Sequence, residues 1–412
     1  MNPRGKATIG LWVCALAAAG AAARAVIVDT HDPRIWFALA ALSSLLALLF
    51  WRRGARTAVA IPEPVTAETA SHRNATVYIG GSTGRIVEEE RRSTAKMGTP
   101  RSPASEPLTF GRYRLLRRID GGGMADIYTA ALHGAEGFRR VFVIKRLRPE
   151  LARSRNAVEQ FIDEAKLGSS LAHPNIVPVF DFGKVGDEYF LAEEFVVGRD
   201  IAHLLRRHVE RASRPLEPRL MLYIAHEVLD ALAYAHALRD DNGTPLDLVH
   251  RDVSPGNIML TERGEVKLLD FGIVKSIGRI SKSEDGVVKG NIDFMSPEQA
   301  RSEQVDQRSD LFSLGLVVHH GLTGEHLYRS SYGGMEHLRR AGEGPTAAQL
   351  AALGELPLAG PILRKALAVD PALRFQSAAE FAAAVAPHAA GAKPEAAALM
   401  RRLYADELGA HA

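Results

Sequence analysis

The longest apolar stretches of the chain lie near its amino terminus, at residues 8–28 and 35–51. The second stretch has no charged residue over 17 positions, and as a helix it covers roughly 25 Å of a hydrocarbon core about 30 Å thick. Trp36 and Trp51 lie at its two ends, where interfacial aromatic residues belong. The pattern predicts a transmembrane helical hairpin, with residues 1–53 as a membrane anchor.

The charges around these stretches indicate an orientation. Arg52 and Arg53 follow the second stretch directly, and positive charge is typical of a cytoplasmic exit. Arg24 interrupts the first stretch and would have to extend toward the interface or face the partner helix. A cleaved signal peptide is an alternative for the first stretch, and a buried soluble helix is an alternative for either. In the membrane interpretation, the rest of the chain lies on the cytoplasmic side of the cell (inner) membrane.

Residues 54–107 have no sustained periodicity of either kind. They are rich in Pro, Ser, Thr, Ala and charged residues. A segment of this composition buries too little apolar surface to offset the entropy cost of folding. We therefore predict a flexible juxtamembrane linker between the anchor and a folded region that begins near residue 108.

Strand-like periodicity begins at Tyr113 and surrounds a glycine-rich turn. Gly121, Gly122 and Gly123 form this turn, and glycines allow a backbone to approach phosphate groups closely. A later run of apolar positions with period two ends at Lys145. The pattern predicts a β-rich unit that presents a lysine beside a phosphate-binding hairpin.

Helical periodicity dominates the remainder of the chain. An amphipathic stretch beginning near Asn156 carries Glu164, and residues 217–238 form a strongly apolar helix. Residues 396–408 predict a short amphipathic helix with an apolar side at Leu399, Leu403 and Tyr404. We expect this last helix to pack on the preceding domain, in preference to serving as a partner-binding tail.

Composition excludes several function classes. The 412-residue chain carries a formal net charge of +3, which is too small to indicate a nucleic-acid partner. Its single cysteine, Cys14, cannot form an internal disulfide. His319 and His320 have no cysteine or carboxylate at ligand spacing, so no structural zinc site is predicted there.

The chemistry is concentrated in HRDVSPGN, residues 250–257, and DFG, residues 270–272. Asn257 and Asp270 offer the oxygen ligands that a hard cation prefers, while Asp252 is available to a substrate hydroxyl. Such a set suits magnesium-dependent phosphoryl transfer. The two motifs in this order resemble the protein-kinase signature.

Over roughly residues 113–385 the chain resembles bacterial protein kinases of the eukaryotic-like Ser/Thr type. The resemblance implies an α+β, two-lobed fold preceded by the membrane hairpin. We accordingly expect a kinase domain over residues 108–388, with a small β-rich lobe at 113–194 and a large helical lobe at 195–388. Residues 389–412 would form a tail helix.

The resemblance also implies ATP and Mg²⁺ as cofactors. Asp252 would orient the substrate hydroxyl and accept its proton, and Lys145, paired with Glu164, would hold the phosphates. Asn257 and Asp270 would bind the magnesium ions. The residues implied in nucleotide binding are Ile119, Gly121, Gly122, Gly123, Ile127, Lys145, Glu194 and Val196.

Several positions depart from the family pattern. Asp120 and Ser254 stand where the family has a glycine and a phosphate-steadying lysine, and Asn291 stands where a threonine is common. The position that guards the pocket behind the adenine falls on Glu193 or, with the register shifted by one, on Ala192. An acidic residue there would require a polar partner.

Three further residues are implied to be structural. Glu298, in the motif SPE, is expected to pair with Arg374 late in the domain, and Asp310 is expected to hold the backbone of the catalytic loop. The loop between the DFG and SPE motifs has no threonine, which leaves Ser281 and Ser283 as candidate autophosphorylation sites.

The expected function is transfer of the γ-phosphate of ATP to serine or threonine hydroxyls of protein substrates at a membrane, without a nucleic-acid partner. A homodimer would allow autophosphorylation. The alternative is a pseudokinase scaffold of low catalytic power, motivated by Asp120, Ser254 and Asn291.

Overall fold

The computed structural model describes residues 108–122, 124–271, 281–282, 288–289, 292–328 and 334–408. The predicted membrane hairpin and linker lie outside these ranges. Within them, no helix combines the length and the hydropathy needed to cross a membrane.

The amino-terminal part is a six-stranded antiparallel sheet with strand order β1-β2-β3-β4-β6-β5. Its strands are β1 (Leu108–Phe110), β2 (Tyr113–Gly122), β3 (Ala125–His133), β4 (Arg139–Leu147), β5 (Val179–Val185) and β6 (Glu188–Glu194).

The two faces of this sheet bury different sets of side chains. One face carries an aromatic cluster in which the rings of Tyr113 and Phe190 meet edge to face, with centroids 5.6 Å apart. The other face receives helix α1 (Arg155–Ser170), whose buried Phe161 packs with Leu191 of β6. The alternation of side chains along a strand therefore decides which residues of β4 and β6 face α1.

The described residues that follow β6 are largely helical. The helices are α2 (Ile201–Ala212), α3 (Pro218–His236), α4 (Pro297–Ala300), α5 (Gln307–Thr323), α6 (Gly334–Glu343), α7 (Ala347–Ala352), α8 (Gly360–Ala366), α9 (Ala378–Ala389) and α10 (Lys393–Leu408). Short 3₁₀ turns lie at Ala135–Gly137, Pro255–Asn257, Ile292–Phe294, Leu353–Glu355 and Pro371–Leu373.

The central helices α3 and α5 are largely buried, because apolar residues dominate both and the buried polar residues Ser309 and Asp310 of α5 have hydrogen-bond partners. Pro218 opens α3 at a position where a missing amide hydrogen costs nothing. Gly324 ends α5 with φ of 74°, a left-handed conformation that glycine adopts without strain. The two helices support the catalytic loop, residues 250–257.

A three-stranded sheet connects the two parts, with order β7-β8-β9. Its strands are β7 (Gly198–Asp200), β8 (Ile258–Thr261) and β9 (Val266–Leu268). Gly198 is required here because a Cβ at this position would lie 2.4 Å from the carbonyl oxygen of Leu260. A last pair of strands, β10 (Ser281–Lys282) and β11 (Val288–Lys289), lies between the DFG and SPE motifs.

The carboxy-terminal helix α10 packs on the large core. Leu399, Leu403 and Tyr404 are almost completely buried, as the apolar side in the sequence suggested. The hydroxyl of Tyr404 lies 2.8 Å from Nδ1 of His203 in α2, and Glu407 pairs with Arg199 of β7. Helix α10 therefore contacts the segment that directly follows β6.

Candidate active site

The catalytic loop is held from below by one carboxylate of α5. Asp310 accepts hydrogen bonds from the backbone amides of His250 and Arg251, both at 2.8 Å. Its Oδ2 also lies 2.8 Å from Nε2 of His236 in α3. Because Asp310 is only 1% exposed, these bonds fix the loop backbone to the rigid core.

Asp252 and Asn257 lie side by side at the end of this loop. The side-chain amide nitrogen of Asn257 donates to the backbone carbonyl and to Oδ2 of Asp252, both at 2.8 Å. The amide oxygen of Asn257 is then the atom suited to a cation. The loop spacing thus brings together the two side chains that the resemblance implies as proton acceptor and metal ligand.

Asp270 is joined to the loop through the residue before it. The backbone amide of Leu269 donates to the carbonyl of Asn257 at 2.8 Å, and the Leu269 carbonyl lies 2.9 Å from Nε2 of His250. Asp270 itself has φ of 47°, and Arg251 in the loop has φ of 64°. Such conformations are uncommon for residues other than glycine and cluster at functional sites.

Lys145 contacts two carboxylates directly. Its Nζ lies 2.9 Å from Oε1 of Glu193 and also binds Oδ1 of Asp270. Glu164 of α1 acts on Lys145 through its charge. Burial alone would lower the pKa of Lys145, but the charges of Asp270, Glu193 and Glu164 outweigh it and raise that pKa well above its usual range. Lys145 is therefore a permanently charged ammonium in a buried position.

The residue found in direct contact, Glu193, differs from the expected partner, Glu164. A direct Lys145–Glu164 pair in the nucleotide-bound enzyme remains a prediction. The strand register explains the contact with Glu193. Glu193 lies opposite Val143, and Leu191 lies opposite Lys145, so Glu193 and Lys145 share one face of the sheet. Ala192 belongs to the other face, within the aromatic cluster.

An apolar cluster adjoins this polar group and is the site expected to receive the adenine. It joins buried residues of both parts of the domain, namely Ile127, Val143, Val177, Val196, Met259 and Leu269, with Ile119 packed at its side. Three of these residues, Ile119, Ile127 and Val196, were predicted to bind nucleotide. Met259 also belongs to the cluster but was not among the predicted residues. Its place between Ile258 and Leu260 in β8 puts its side chain on the opposite face of that strand from theirs.

The other residues predicted to bind nucleotide lie outside this cluster or outside the described residues. Gly121 and Gly122 close the β2–β3 hairpin, where they oppose Asp126 and Ala125, while Gly123 lies outside the described residues. Glu194 ends β6, and its carboxylate lies 3.3 Å from Nζ of Lys267. Its side chain therefore points away from Lys145.

The three departures from the family pattern have different outcomes. Ser254 is 3% exposed, and its carbonyl accepts the backbone amide of Asn257 at 3.0 Å, so it supports the loop without supplying a charge. Asp120 pairs with Ile127 through the β2–β3 ladder, and its side chain is outside the description. Asn291 and the candidate phosphorylation site Ser283 lie outside the described residues, while Ser281 lies in β10.

The donor set fits magnesium. One carboxylate, Asp270, and one amide oxygen, Asn257, project from adjoining backbone segments joined through Leu269. Magnesium in nucleotide enzymes is bound in this way, by one or two protein oxygens that complete their set with phosphate oxygens and water. Within the described ranges, no group of three or more His, Cys, Asp or Glu side chains is placed so that it could hold a metal ion.

Comparison with known proteins gives the family. The model of the protein kinase domain matches residues 113–376. Among curated relatives, the tyrosine-protein kinase MasK of Myxococcus xanthus is 42% identical over 214 residues, which cover 52% of this chain and 33% of MasK. The serine/threonine-protein kinase PrkC of Bacillus subtilis is 36% identical over 214 residues, covering 52% of this chain and 31% of PrkC.

Longer alignments and a solved structure agree. The serine/threonine-protein kinase PknA of Mycobacterium tuberculosis is 32% identical over 307 residues, covering 71% of this chain and 65% of PknA. A crystal structure of the PknI kinase domain of M. tuberculosis, a double mutant, superposes with a TM-score of 0.50 at 27% identity and covers 69% of this chain and 99% of that domain. The chain spans about a third of the length of MasK and PrkC. It belongs to the protein kinase family, and its two-lobed fold is confirmed.

Proposed function

We propose that the protein is an ATP-dependent protein kinase that phosphorylates serine and threonine hydroxyls. The observation that supports this most strongly is the continuous set formed by Asp252, Asn257, Asp270 and Lys145, in which each member is joined to the next by a hydrogen bond, an ion pair or one intervening residue. A scaffold that only binds partners has no physical need for this set. Members of this family use ATP and Mg²⁺.

Each residue has a defined task in the proposed reaction. Asp252, fixed by Asn257, orients the substrate hydroxyl and accepts its proton as the oxygen bonds to the γ-phosphorus of ATP. The bond between that phosphorus and the bridging oxygen breaks in the same transfer, and ADP is the leaving group. Lys145 binds phosphate oxygens with a charge that burial does not remove. Asn257 and Asp270 would hold magnesium, which would neutralise charge on the phosphates.

The relatives differ in the residue they are named for: MasK is named a tyrosine kinase, whereas PrkC and PknA are named serine/threonine kinases. The choice of serine and threonine as acceptors therefore rests on the family pattern. Phosphoamino-acid analysis tests the proposal. The full chain is incubated with γ-labelled ATP, Mg²⁺ and a generic acceptor such as casein, and the labelled acceptor is hydrolysed. Phosphoserine and phosphothreonine are expected, and phosphotyrosine alone would refute the class.

A pseudokinase scaffold is the second candidate, because buried Ser254 cannot supply the charge of the lysine that the family carries. It predicts that the chain binds Mg·ATP but transfers no phosphate to any acceptor. The same incubation separates the two functions, since transfer above the rate of the acceptor alone with ATP excludes the scaffold.

We also propose that residues 1–53 anchor the kinase in the inner membrane with its catalytic domain in the cytoplasm. The apolar stretches, their Trp36 and Trp51 ends and the arginines that follow support this proposal. Fractionation of cells that express the full chain tests it. Recovery in the membrane fraction after a high-salt wash is expected, and loss of that recovery is expected when residues 1–53 are deleted.

Autophosphorylation between two copies is proposed for Ser281 or Ser283. Mixing the full chain with a catalytically silent copy carrying Asp252→Asn, distinguishable by mass, tests this. Label in the silent copy at either serine supports the proposal, and label confined to other positions contradicts it.

A further inference from the structure

Glu193 is a buried carboxylate beside Lys145, and it has no task in the proposed phosphate transfer. It is 7% exposed, like Lys145 at 6%, and the two side chains meet at 2.9 Å on the same face of the sheet. Around them are apolar residues such as Val143 and Leu191. A carboxylate in such a place is retained only if a partner offsets its lost hydration.

The three carboxylates near Lys145 are not equivalent. The Asp270 side chain is 30% exposed, whereas that of Glu193 is 9% exposed. Glu164 acts on Lys145 from α1 through its charge. Asp270 is therefore the group that can turn toward the cleft and a cation, while Glu193 stays in the wall with Lys145.

This difference matters because Asp270 has two competing partners. It binds Lys145 in the structure, and in the proposed reaction it binds magnesium. When Asp270 turns to the metal, the buried ammonium loses one direct counter-charge. Glu193 is the other carboxylate shown in direct contact, so it can keep Lys145 paired during that exchange.

We propose that Glu193 is a positioning residue for magnesium binding: it holds the Lys145 ammonium in the wall of the site and so allows Asp270 to exchange Lys145 for the metal. The proposal rests on the assignment of Asp270 as a magnesium ligand. Burial raises the pKa of Glu193, and the charge and hydrogen bond of Lys145 oppose that rise.

The consequence is a specific change in magnesium dependence. In Glu193→Gln, Asp270 stays in direct contact with Lys145 and Glu164 still acts on it through its charge. With Glu193 neutral, magnesium must compete more strongly with the buried ammonium for the Asp270 carboxylate. Mutation of a residue that orients a metal ligand without touching the metal typically lowers metal affinity about 10- to 100-fold. We expect the magnesium concentration needed for half-maximal effect to rise about tenfold.

Two readouts on the full chain test this. The first is the rise in melting temperature that ATP produces at increasing Mg²⁺, which measures binding without turnover. The second is the rate of phosphate transfer to casein over the same Mg²⁺ series. Glu188→Gln is the matched control. Glu188 lies on β6 like Glu193, and it pairs at 2.5 Å with Arg146, the residue that directly follows Lys145 in β4.

The outcomes are distinct. The proposal predicts that Glu193→Gln shifts both magnesium curves to higher concentration and that Glu188→Gln shifts neither. Unchanged curves would overturn the proposal. Curves shifted to lower Mg²⁺ concentration would also overturn it, because they would mean that Glu193 hinders magnesium binding. If Glu193→Gln does not fold, Glu193→Asp decides in the same way, because it keeps the charge but withdraws it from Lys145.

The proposed function can fail separately. If the wild-type chain transfers no phosphate, the kinase assignment fails, while the melting-temperature series still shows whether Glu193 governs magnesium-dependent nucleotide binding.

Discussion

Glu298 and Arg374 form a buried ion pair through two parallel hydrogen bonds, Nη1 to Oε1 at 2.7 Å and Nη2 to Oε2 at 2.9 Å. Arg374 is 1% exposed, and its guanidinium also donates to the carbonyls of Ala368 and Val369. Ser309 of α5 donates to the same carboxylate. The pair joins the SPE motif to a segment 76 residues later in the chain.

Replacing Arg374 with methionine should destabilise the protein strongly. The substitution leaves the Glu298 carboxylate buried without its main partner, which typically costs about 3 to 5 kcal/mol. Denaturant unfolding of the full chain measures the change. Arg301→Met is a suitable comparison because Arg301 pairs with Glu303 on the exposed surface, and it should have little effect. Equal losses in both variants would contradict this role of the pair.

The contribution of this pair should depend on pH. Burial would raise the pKa of Glu298, but the hydrogen bonds and charge of Arg374 outweigh it, so its pKa is lowered. A carboxylate with a lowered folded-state pKa stabilises the protein above its unfolded value, about 4.3, and that stabilisation is lost as pH falls through the folded-state value.

The stability difference between wild type and Arg374→Met should therefore be greatest near neutral pH and shrink as the solution is acidified. In the variant, burial without Arg374 should raise the pKa of Glu298, which strengthens the trend. Unfolding free energies at several pH values between about 7 and 4 test this prediction. A difference that does not change with pH would show that packing, not charge, explains the effect.

Asp310→Asn should reduce catalysis more than stability. An amide oxygen can replace one carboxylate oxygen, but its nitrogen cannot accept the second backbone hydrogen bond from the His250–Arg251 segment. Displacement of a catalytic group by about 1 Å can cost about 100-fold in rate. We expect kcat to fall by about that factor while the KM for ATP changes little. A large rise in KM with unchanged kcat would argue against loop positioning.

The tail helix should be an integral part of the domain. Tyr404 is fully buried, and its hydroxyl lies 2.8 Å from His203. Tyr404→Ala should cost about 3 to 5 kcal/mol through the cavity it leaves. Tyr404→Phe removes only the hydroxyl and should cost about 1 kcal/mol. If the alanine variant unfolds like wild type, the helix contributes nothing to the domain.

The close approach of Asp252 and Asn257 could be predicted from the sequence because the motif that contains them is local. Asp252 and Asn257 are five residues apart on one loop, and such spacing allows few arrangements. The pairing of Glu298 with Arg374 could also be anticipated, but only through the family resemblance. The two-lobed fold was implied by the same resemblance, whereas the change in periodicity indicated only a strand-rich part followed by a helical part.

The partner of Lys145 could not be predicted in the same way. It depends on how β6 is aligned with β4, and a shift of one residue would exchange Glu193 for Ala192. The positive φ angles of Arg251 and Asp270 were equally invisible, because tertiary contacts impose them on residues that do not prefer them.

Phosphate transfer by the full chain and by Asp252→Asn, measured with γ-labelled ATP and Mg²⁺, tests whether the protein is a kinase in which Asp252 accepts the proton. Asparagine retains the size of the side chain and can still bond to Asn257, so both proteins should gain thermal stability from Mg·ATP. Loss of a positioned general base typically lowers the rate by about 10² to 10⁴. We predict a loss of that size in the variant, and equal transfer by the two proteins would contradict the account.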